Sequence, residues 1–533
     1  MTTAAVNRYL IKAPNTIKTS ILLPSSKSIG NRALILNALC NNPELIKNLS
    51  VCDDTAVVIK ALSEKQGTID VGAAGTAMRF LTAFFAGQQG TFIITGTERM
   101  KHRPIKLLVE ALRTVGAQIE YLEKEGFPPL SIKGQTLKGG EIMLDGSVSS
   151  QFVSALLMIA PMMTNGLKLH LTGHVISASY IHITTQLMRK FGVTIFEERR
   201  SDVTLPLSNQ DLPTPVCHTF TVPHHKYHAQ DDFTVESDWS AASYWYEMVA
   251  LSPKKKSTVT LLGLQPDSLQ GDSAIVTLFD KLGVNTSFTS TGAVLTKKQP
   301  TISGTLNYDF ISMPDMAQTL VVTCVMQQIP FRFTGLQSLK IKETDRLTAL
   351  KTELCKFGYM LEIQDDHTLE WKGKKGKPEN VPNIATYEDH RMAMAFAPMS
   401  LCIREGIRID NPEVVTKSYP SFWQDLKKAN FTIRPVENAN CCSLNETCIM
   451  GNNSATILDE IDYFEDEELD DYSGIPSDRH TAKAIEEFSE VLYTMQANEV
   501  TAWLHSLQFR NIYLPDSLKD EALLIIEEQR NNE

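Results

Sequence analysis

The chain has 533 residues, of which 43% are hydrophobic and 21% charged, a composition typical of a globular protein of about two to four domains. No apolar run approaches the ~18 residues of a membrane span, and residues 1–14 lack the apolar core of a signal peptide, so neither is predicted. The nine cysteines are scattered and form no CxxC pair, which favours reduced thiols in the cytoplasm over a disulfide framework or a zinc site.

The net charge of −11 is divided unevenly along the chain. From Val436 onward there are 22 acidic and 5 basic residues, whereas the first 435 residues carry 40 acidic and 46 basic ones. A mildly basic body suits anionic small substrates, and the acidic tail is predicted to be a separate unit. The body has no basic strip interleaved with aromatic residues, so no nucleic-acid partner is expected.

The first motif in chain order joins the end of a strand to the start of a helix. It comprises residues 23–34, LPSSKSIGNRAL, and places Lys27 and Arg32 near a helix N-terminus. Free backbone N–H groups and the helix dipole favour an anion there, so the two cations indicate a phosphate or carboxylate ligand. A capped surface helix with two solvated bases is the alternative for this motif alone. The motif lacks the G-x-x-x-x-G-K-[ST] frame of a P-loop.

Two kinds of helix alternate along the chain, six times each. The first kind ends at Gly or Asn, where a left-handed C-cap is expected, and precedes a short strand; it is predicted at 53–67, 103–116, 179–192, 272–283, 345–358 and 417–430. The second kind begins at a polar turn and is apolar on most faces; its copies start near Ser28, Gly75, Ser150, Asp238, Asp315 and Asp389. This internal repeat predicts an α/β fold of two similar domains, each with three repeats, enclosing a cleft for a small ligand.

Cations, hydroxyl groups and acids cluster at or near the starts of these helices. They are Lys27, Ser28, Arg32, Gly75, Thr76, Arg79, Arg103, Ser149, Ser150, Gln151, Ser177 and Tyr180 in the first half, and Asp315, 342–346, 389–391 and Lys417 in the second. Converging cations can hold a ligand with several negative charges, and acids and lysines among them are candidates for proton transfer. Taken singly, Ser149 and Ser150 are also typical of an N-cap, Asp345 of a helix cap, and His390 of a buried structural histidine.

Nine segments between Leu23 and Trp423 resemble the 5-enolpyruvylshikimate-3-phosphate synthase family, in that family's order. They are LPSSKSIGNRAL, AAGTAMRF, ERMKHRPI, DGSVSSQF, ESDWSAASY, MPDMAQT, KETDRL, YEDHRMAMAF and VTKSYPSFW. The resemblance implies two domains, each of three βαβαββ units about a pseudo-threefold axis, with the active site in the cleft between them. It also implies that the N-terminal segment completes the second domain. The predicted parts are a first enolpyruvyl transferase domain at 21–236, a second at 1–20 and 237–436, an acidic linker at 437–475 and a small helical extension at 476–533.

The resemblance implies a reaction of the shikimate pathway, which leads to chorismate and the aromatic amino acids. The enolpyruvyl group of phosphoenolpyruvate would be transferred by addition–elimination to the 5-hydroxyl of shikimate 3-phosphate, releasing phosphate, with no metal or organic cofactor. Contacts to shikimate 3-phosphate would come from Lys27, Ser28, Arg32, Ser149, Ser150, Ser177, Asp315 and Lys342. Contacts to phosphoenolpyruvate would come from Lys27, Gly75, Arg103, Gln151, Arg346, Arg391 and Lys417.

Four of these residues are the candidate catalytic groups. Glu343 is expected to transfer the proton at the methylene carbon, and Lys27 is expected to reach both substrates. Lys342 and Asp315 are both candidates for handling the proton of the 5-hydroxyl group, and the sequence does not rank them.

Two other functions are compatible with parts of this pattern. A related enolpyruvyl transferase acts on a UDP-amino sugar and normally has a reactive cysteine in a first-domain loop, but the corresponding residues 96–103 contain none. A catalytically inactive binding module is the other alternative, and the presence of Lys27, Glu343 and Arg391 argues against it.

The tail contains nothing that resembles the family. Helices are predicted at 482–492, 499–507 and 517–528, where apolar residues recur at helical spacing. The catalytic core is expected to be a monomer without a membrane or nucleic-acid partner, and the sequence identifies no partner for the tail.

Overall fold

The structure is a computed structural model that describes residues 8–147, 149–173, 175–199, 216–230, 232–254, 256–436 and 466–525, the last range with gaps at 474, 476, 478, 496–498, 511, 516, 520, 523 and 524. The chain forms two compact units, Met1–Asn438 and Ala439–Glu533, called here the first and second unit. In the described part of the chain, no helix has the length and apolar character needed to cross a membrane.

The described part of the first unit contains twenty strands. They are β1 Arg8–Lys12, β2 Lys18–Leu22, β3 Gly67–Asp70, β4 Gly90–Thr95, β5 Gln118–Tyr121, β6 Leu130–Gly134, β7 Gly140–Asp145, β8 Leu167–Thr172, β9 Phe196–Arg199, β10 Val216–Val222, β11 Thr258–Leu262, β12 Val284–Thr289, β13 Gly292–Lys297, β14 Leu306–Asp309, β15 Phe331–Thr334, β16 Glu362–Gln364, β17 Thr368–Trp371, β18 Asn383–Ile384, β19 Ile407–Asp410 and β20 Thr432–Val436.

Fifteen α-helices are described in the two units together. They are α1 Lys27–Ala38, α2 Asp53–Ser63, α3 Gly75–Ala86, α4 Glu98–Lys101, α5 Lys106–Thr114, α6 Ser150–Ile159, α7 Ala178–Lys190, α8 Trp239–Leu251, α9 Ile275–Lys281, α10 Ala317–Met326, α11 Arg346–Lys356, α12 His390–Phe396, α13 Phe422–Lys428, α14 Ala482–Thr494 and α15 Val500–Phe509. Short 3₁₀ helices include Pro314–Met316, Pro412–Lys417 and Glu467–Tyr472.

The strands form five four-stranded sheets with one shared pattern. Their strand orders are β3-β4-β6-β5, β7-β8-β10-β9, β12-β13-β11-β2, β14-β15-β17-β16 and β18-β19-β1-β20. In each sheet one edge strand pairs in parallel with its neighbour and the other two pairings are antiparallel. The predicted repeated α/β fold is therefore confirmed, and each sheet has the strand content of one repeat.

The sixth predicted repeat has no sheet in the described residues. Only isolated bridges occur there, between Lys47 and Thr234 and between Ser25 and Ser237. Pro43 has no N–H to donate to a strand partner, and Asn48 has a left-handed φ of 57°. These two residues interrupt the extended backbone that a further strand would need.

The first two strands pair with strands from the far end of the unit. β1 lies antiparallel between β19 and β20, and β2 lies parallel to β11. Ile11 and Ile21 on these strands are buried together with residues of α8 and α10. The N-terminal segment thus completes two sheets whose other strands come from residues 258–436.

All six helices of the second predicted kind are present, as α1, α3, α6, α8, α10 and α12. Three details around the first kind were wrong. The strand predicted directly after Gly358 begins only at Glu362. The helix predicted from Lys417 begins at Phe422, because Pro420 disfavours helical geometry at the preceding residue. The strand predicted directly after Gly192 begins at Phe196, which pairs with Thr221 near the end of β10. Pro223, just beyond β10, has no N–H to extend this pairing.

Two hydrophobic cores hold the first unit together. The first core contains buried residues between Ile29 and Val235, including most of α3 and α6. The second core combines residues of the N-terminal segment with residues between Trp239 and Phe431, including most of α8 and α10. The starts of several core helices face the place where the two cores meet, and this arrangement positions the site described below.

The second unit has a small core of its own, in which Leu469, Phe488 and Trp503 are buried. Asp466 is also buried; it forms an ion pair with Arg510 and accepts a hydrogen bond of 2.8 Å from Trp503 Nε1. The acidic linker was therefore predicted to extend too far, because residues 466–473 fold against α14 and α15. The rest of the predicted linker, 437–465, lies outside the described residues.

The predicted tail helices are present where the structure describes them. They correspond to α14, to α15 and to helical residues at 517–519, 521, 522 and 525.

Candidate active site

A cavity lined mostly by charged and polar side chains lies between the two cores. Its lining consists of Lys27, Ser28, Arg32, Asp54, Gly75, Thr76, Arg79, Arg103, Pro104, Ser149, Ser150, Gln151, Phe152, Ile176, Ser177, Tyr180, Asp315, Ser338, Lys342, Glu343, Arg346, His390 and Arg391. Seven of these side chains are lysine or arginine and three are acidic, so the cavity suits an anionic ligand. Every residue predicted to contact a substrate or to be catalytic lines it except Lys417, and Thr344, Asp345 and Asp389 of the wider candidate cluster do not line it.

Lys27 begins α1 and lies against an acid that is not among the sequence-predicted candidates. Its ammonium Nζ is 3.0 Å from Oδ2 of the buried Asp54, the second residue of α2. Burial alone would lower the pKa of Lys27, but Asp54, together with Cys52 and Glu343, raises it above its usual value. Lys27 is therefore a fixed cation at neutral pH. The pair of aspartates at the start of a predicted helix was the available signal for Asp54.

Arg32 lies one turn further along α1 and is almost fully buried. Its Nε donates to Thr184 Oγ1 at 2.7 Å, and its terminal nitrogens donate to Ser28 O at 2.8 Å and Ser154 Oγ at 3.2 Å. Burial lowers the pKa of Arg32 to about 10, which still leaves the guanidinium charged at neutral pH. The hydroxyl groups hold this cation in place without neutralising it.

The start of α3 brings glycine against an arginine from the following loop. A Cβ at Gly75 would lie 2.5 Å from a terminal nitrogen of Arg103, which is closer than van der Waals contact allows. The buried Nε of Arg103 has no hydrogen-bond partner within the described residues. Arg103 thus keeps donor capacity for a ligand, and the absence of a side chain at Gly75 makes room for it.

Three of the predicted serines, Ser149, Ser150 and Ser177, lie at the starts of α6 and α7. Ser149 caps α6 by accepting a hydrogen bond of 3.2 Å from Gln151 N, so its N-cap function is confirmed, although it also lines the cavity. Gln151 Nε2 donates to Thr76 Oγ1 at 3.1 Å. Ser177 precedes α7 with a left-handed φ of 53°, and its N–H donates to Ile311 O at 2.8 Å. Non-glycine residues rarely adopt this conformation, and those that do are concentrated at ligand sites.

Arg346 is the centre of an ion-pair cluster in the second core. Its guanidinium contacts Asp315 Oδ1 at 2.7 Å, Glu343 Oε2 at 2.9 Å and Asp389 Oδ2 at 2.6 Å. Only 1% of Arg346 is exposed, and four of its five N–H groups are used by these carboxylates. Arg346 thus holds three acids in place, and one of its N–H groups makes none of these bonds.

Four side chains contact the carboxylate of Asp315, and one of them is Arg346. Tyr180 OH donates to its Oδ2 at 2.9 Å, Lys342 Nζ lies 3.5 Å from Oδ1, and Arg391 lies 3.7 Å from Oδ2. Burial would raise the pKa of Asp315, but Lys342, Arg391 and Arg346 hold it well below its usual value. Burial lowers the pKa of Lys342, opposed by the carboxylate of Asp315. The two candidates for the hydroxyl proton are thus direct neighbours.

Glu343 receives its second cation from Lys417, a neighbour that is not itself among the residues lining the cavity. Lys417 Nζ is 3.0 Å from Glu343 Oε1, and Arg346 contacts the other carboxylate oxygen. Burial would raise the pKa of Glu343, but Lys417, Arg346 and Arg103 hold it well below the usual range. Without a ligand, Glu343 is therefore ionised and is a proton acceptor.

His390 lines the cavity at the start of α12. Asp389 caps that helix by accepting a hydrogen bond of 2.9 Å from Arg391 N. Burial, with the nearby cations Lys27 and Lys417, lowers the pKa of His390 well below its usual value, so its imidazole is neutral. Its Nδ1 has no hydrogen-bond partner in the described part of the chain.

The chain matches a family model described as EPSP synthase (3-phosphoshikimate 1-carboxyvinyltransferase) over residues 60–426. A 3-phosphoshikimate 1-carboxyvinyltransferase of Bacteroides fragilis strain YCH46 is 53% identical over 430 residues, which cover 81% of this chain and 100% of the relative. A protein of the same name from Sulfurovum sp. is 34% identical over 448 residues, covering 79% and 99%.

Two solved structures have the same fold at low sequence identity. The EPSP synthase of Acinetobacter baumannii superposes with a TM-score of 0.61 at 19% identity, covering 81% of this chain and 100% of that one. The enolpyruvyl transferase NikO from Streptomyces tendae superposes with a TM-score of 0.58 at 13% identity and the same coverage. From its sequence relatives and its fold together, the chain belongs to the EPSP synthase family.

Proposed function

We propose that the chain transfers the enolpyruvyl group of phosphoenolpyruvate to the 5-hydroxyl of shikimate 3-phosphate and releases phosphate. The supporting observation is that the cavity holds an acid, Glu343, among cations contributed by both cores. Lys417 lies 3.0 Å from this acid, and Lys27, Arg103 and Arg391 line the same cavity. Such a site can bind two anionic substrates and move a proton between them.

The two substrates occupy different parts of the cavity. Shikimate 3-phosphate is held by Lys27, Ser28, Arg32, Ser149, Ser150, Ser177, Asp315 and Lys342. Phosphoenolpyruvate is held by Lys27, Gly75, Arg103, Gln151, Arg391 and Lys417, with Arg346 supporting the acids around it. Cations that are already fixed by buried contacts lose little side-chain entropy when the substrates bind, which favours orientation of the reacting carbon and oxygen.

The first step is protonation of the methylene carbon of phosphoenolpyruvate. Glu343 is ionised in the free chain because Lys417, Arg346 and Arg103 stabilise its charge. The carboxylate and phosphate of the substrate bind Lys417 and Arg103 and compensate their charge, which raises the pKa of Glu343 and lets it carry the proton. The resulting cationic carbon is then attacked by the 5-hydroxyl oxygen.

The attacking hydroxyl loses its proton to Asp315. Substrate anions bound to Lys342 and Arg391 weaken the hold of these cations on the Asp315 carboxylate and make it more basic. In the tetrahedral intermediate formed by this addition, the former methylene carbon is a methyl group. Glu343 then takes a proton back from that methyl group as the C–O bond to phosphate breaks, with Lys27 stabilising the leaving phosphate. The proton held by Asp315 leaves with the phosphate.

The test is phosphate release by the full-length chain supplied with both substrates. Turnover that requires both compounds, and that falls about 10²- to 10⁴-fold in Glu343→Gln, supports the proposed reaction and the assigned acid. Glu362→Gln is the matched control, because Glu362 pairs with Lys372 at 3.0 Å on β16, outside the cavity. Turnover that survives Glu343→Gln removes the assigned acid, and turnover with a UDP-amino sugar in place of shikimate 3-phosphate overturns the proposed substrate.

Three further features belong to this proposal. The first unit divides into domains at 24–236 and at 1–23 with 237–436, supported by its two separate cores; the N-terminal boundary is moved from the predicted residue 20 because Ile21 and Leu23 are buried in the second core. The catalytic unit works as a monomer, since residues of one chain line the cavity. The chain works in the cytoplasm, supported by free thiols at the described cysteines Cys40, Cys52, Cys324, Cys355 and Cys402.

A further inference from the structure

A hydrogen bond near the surface joins the two sides of the cavity beside its ion pairs. Thr416 Oγ1 donates to Asp53 Oδ2 at 2.7 Å across 363 residues of sequence. Asp53 is the first residue of α2, which packs in the first core, and Thr416 lies in the 3₁₀ helix Pro412–Lys417, which packs in the second. The bond therefore spans the cleft between the two cores.

Each partner of this bond is followed directly by a residue of the cavity network. After Asp53 comes Asp54, whose carboxylate is 3.0 Å from Lys27. After Thr416 comes Lys417, whose ammonium is 3.0 Å from Glu343. A change in the distance between Asp53 and Thr416 therefore moves the backbone that carries both ion pairs.

The Thr416 hydroxyl can break this bond at little cost. The same Oγ1 lies 3.0 Å from the carbonyl oxygen of Glu413, so its proton has a second acceptor on its own helix. Asp53 is exposed and can be solvated by water when the bond is broken. Neither group is left buried and unsatisfied in an open cleft, which is the property required of a contact that forms and breaks in each catalytic cycle.

We propose that Asp53 and Thr416 are positioning residues whose hydrogen bond closes the cleft and thereby sets the affinity for phosphoenolpyruvate. This inference rests on the proposed function. The bond acts through Lys417, which binds that substrate, and through Asp54, which fixes Lys27. Other contacts also span the cleft. Tyr180 to Asp315, Ser177 N–H to Ile311 O and Ser179 Oγ to Ser312 O lie at or next to the shikimate 3-phosphate residues. Ser26 Oγ to Gln270 Oε1 lies beside the chain crossing at residues 236–237. The Asp53–Thr416 bond is thus expected to act selectively on the second substrate.

The test is a double-mutant cycle with Thr416→Val and Asp53→Ala. Thr416→Val removes the donor with little change in shape, and we expect it to raise the KM for phosphoenolpyruvate about three- to tenfold while kcat stays within about twofold. Thr416→Ser restores the donor and should restore the KM. In the Asp53→Ala background, Thr416→Val should change the KM no further, because the partner is already absent.

A purely structural role is tested by a matched control and by thermal unfolding. Thr289→Val also removes an exposed threonine hydroxyl, one that donates to Gly292 O at 3.0 Å within the β12–β13 turn, and it should leave the KM unchanged. Additive effects in the cycle overturn the proposal. So does an unchanged KM, or a KM change matched by an equal loss of thermal stability.

Failure of the proposed function is a different result. If the wild-type chain has no turnover, the bond is tested by amide hydrogen exchange of α2 and of residues 412–417. Faster exchange in both segments of Thr416→Val supports the contact, and identical exchange overturns it.

Discussion

Gly75 and Arg103 approach so closely that a Cβ on Gly75 would lie 2.5 Å from the Arg103 guanidinium. In Gly75→Ala, the arginine side chain must move because the helix backbone cannot. We expect the KM for phosphoenolpyruvate to rise about 10- to 100-fold, because about one charged hydrogen bond to the substrate is lost. The fold should persist, because Ala is a better helix former than Gly.

Steady-state kinetics with Gly87→Ala as control checks this expectation. Gly87 follows the same helix, and a Cβ there would meet nothing closer than Phe84 O at 3.6 Å. A normal KM in Gly75→Ala would show that Arg103 does not bind this substrate.

Lys342 is expected to determine the alkaline limb of the pH–rate profile. Its pKa is lowered from 10.5 by burial, so the ammonium loses its proton at a lower pH than an ordinary lysine. The proposed reaction needs the charged ammonium of Lys342, because this cation holds a substrate anion beside Asp315. The value of kcat/KM should therefore fall as pH rises through that pKa.

Lys342→Arg should have a lower rate but a flat profile up to about pH 10.5, because arginine remains charged. Lys340→Arg is the control, since Lys340 pairs with Asp366 at 2.8 Å and lies outside the cavity lining. An activity that increases with pH in the wild type would instead make neutral Lys342 the proton acceptor.

Glu247 is a buried acid that the reaction does not use. It lies in α8 with none of its surface exposed, and its two carboxylate oxygens have no hydrogen-bond partner among the described residues. Burial raises the pKa of Glu247 well above 4.5, so the folded chain keeps it protonated at pH values where the unfolded chain ionises it. The free energy of unfolding should then fall as pH rises above 4.5, by at most about 1.4 kcal/mol per pH unit, until the folded pKa is passed.

Glu247→Met removes the buried acid and this pH dependence. We expect it to be about 1–3 kcal/mol more stable than the wild type at pH 8, with a smaller gain at pH 5. Urea unfolding at several pH values measures the difference. Glu353→Met is the contrasting control: Glu353 is equally buried but accepts hydrogen bonds from Lys356, Ala385 N–H and Tyr387, so its loss should destabilise the chain.

Trp503 should stabilise the second unit without affecting turnover. It is buried and donates to Asp466 Oδ2 at 2.8 Å. Trp503→Ala is expected to destabilise this unit by about 3–5 kcal/mol, because a large core side chain and a hydrogen bond to a buried carboxylate are lost.

Faster amide exchange over residues 482–494 with unchanged phosphate release would agree with this expectation. Tyr493→Ala is the control, since 61% of Tyr493 is exposed. Loss of turnover in Trp503→Ala alone would show that the tail supports catalysis.

Local sequence predicted which residues line the cavity but not what each contacts. Lys27 and Ser28 were found because they lie at the start of a repeated helix, and helix starts bind anions whatever the fold. Asp54 was missed because its importance comes from Lys27, which lies 27 residues earlier. Arg346 was predicted to bind phosphoenolpyruvate, and the sequence did not show that its guanidinium also holds Asp315 and Asp389, which are 31 and 43 residues away.

The sequence by itself determined the repeated α/β architecture, the membership of the EPSP synthase family and the positions of the anion-binding helix starts. These features depend on short-range patterns, namely helical periodicity, caps and motifs, which are read within about ten residues. Only the tertiary structure decided that Glu343 is ionised, that Arg346 positions acids, and that Asp53 meets Thr416. Those properties arise from burial and from charges brought together over long sequence separations, and neither is encoded in any local pattern.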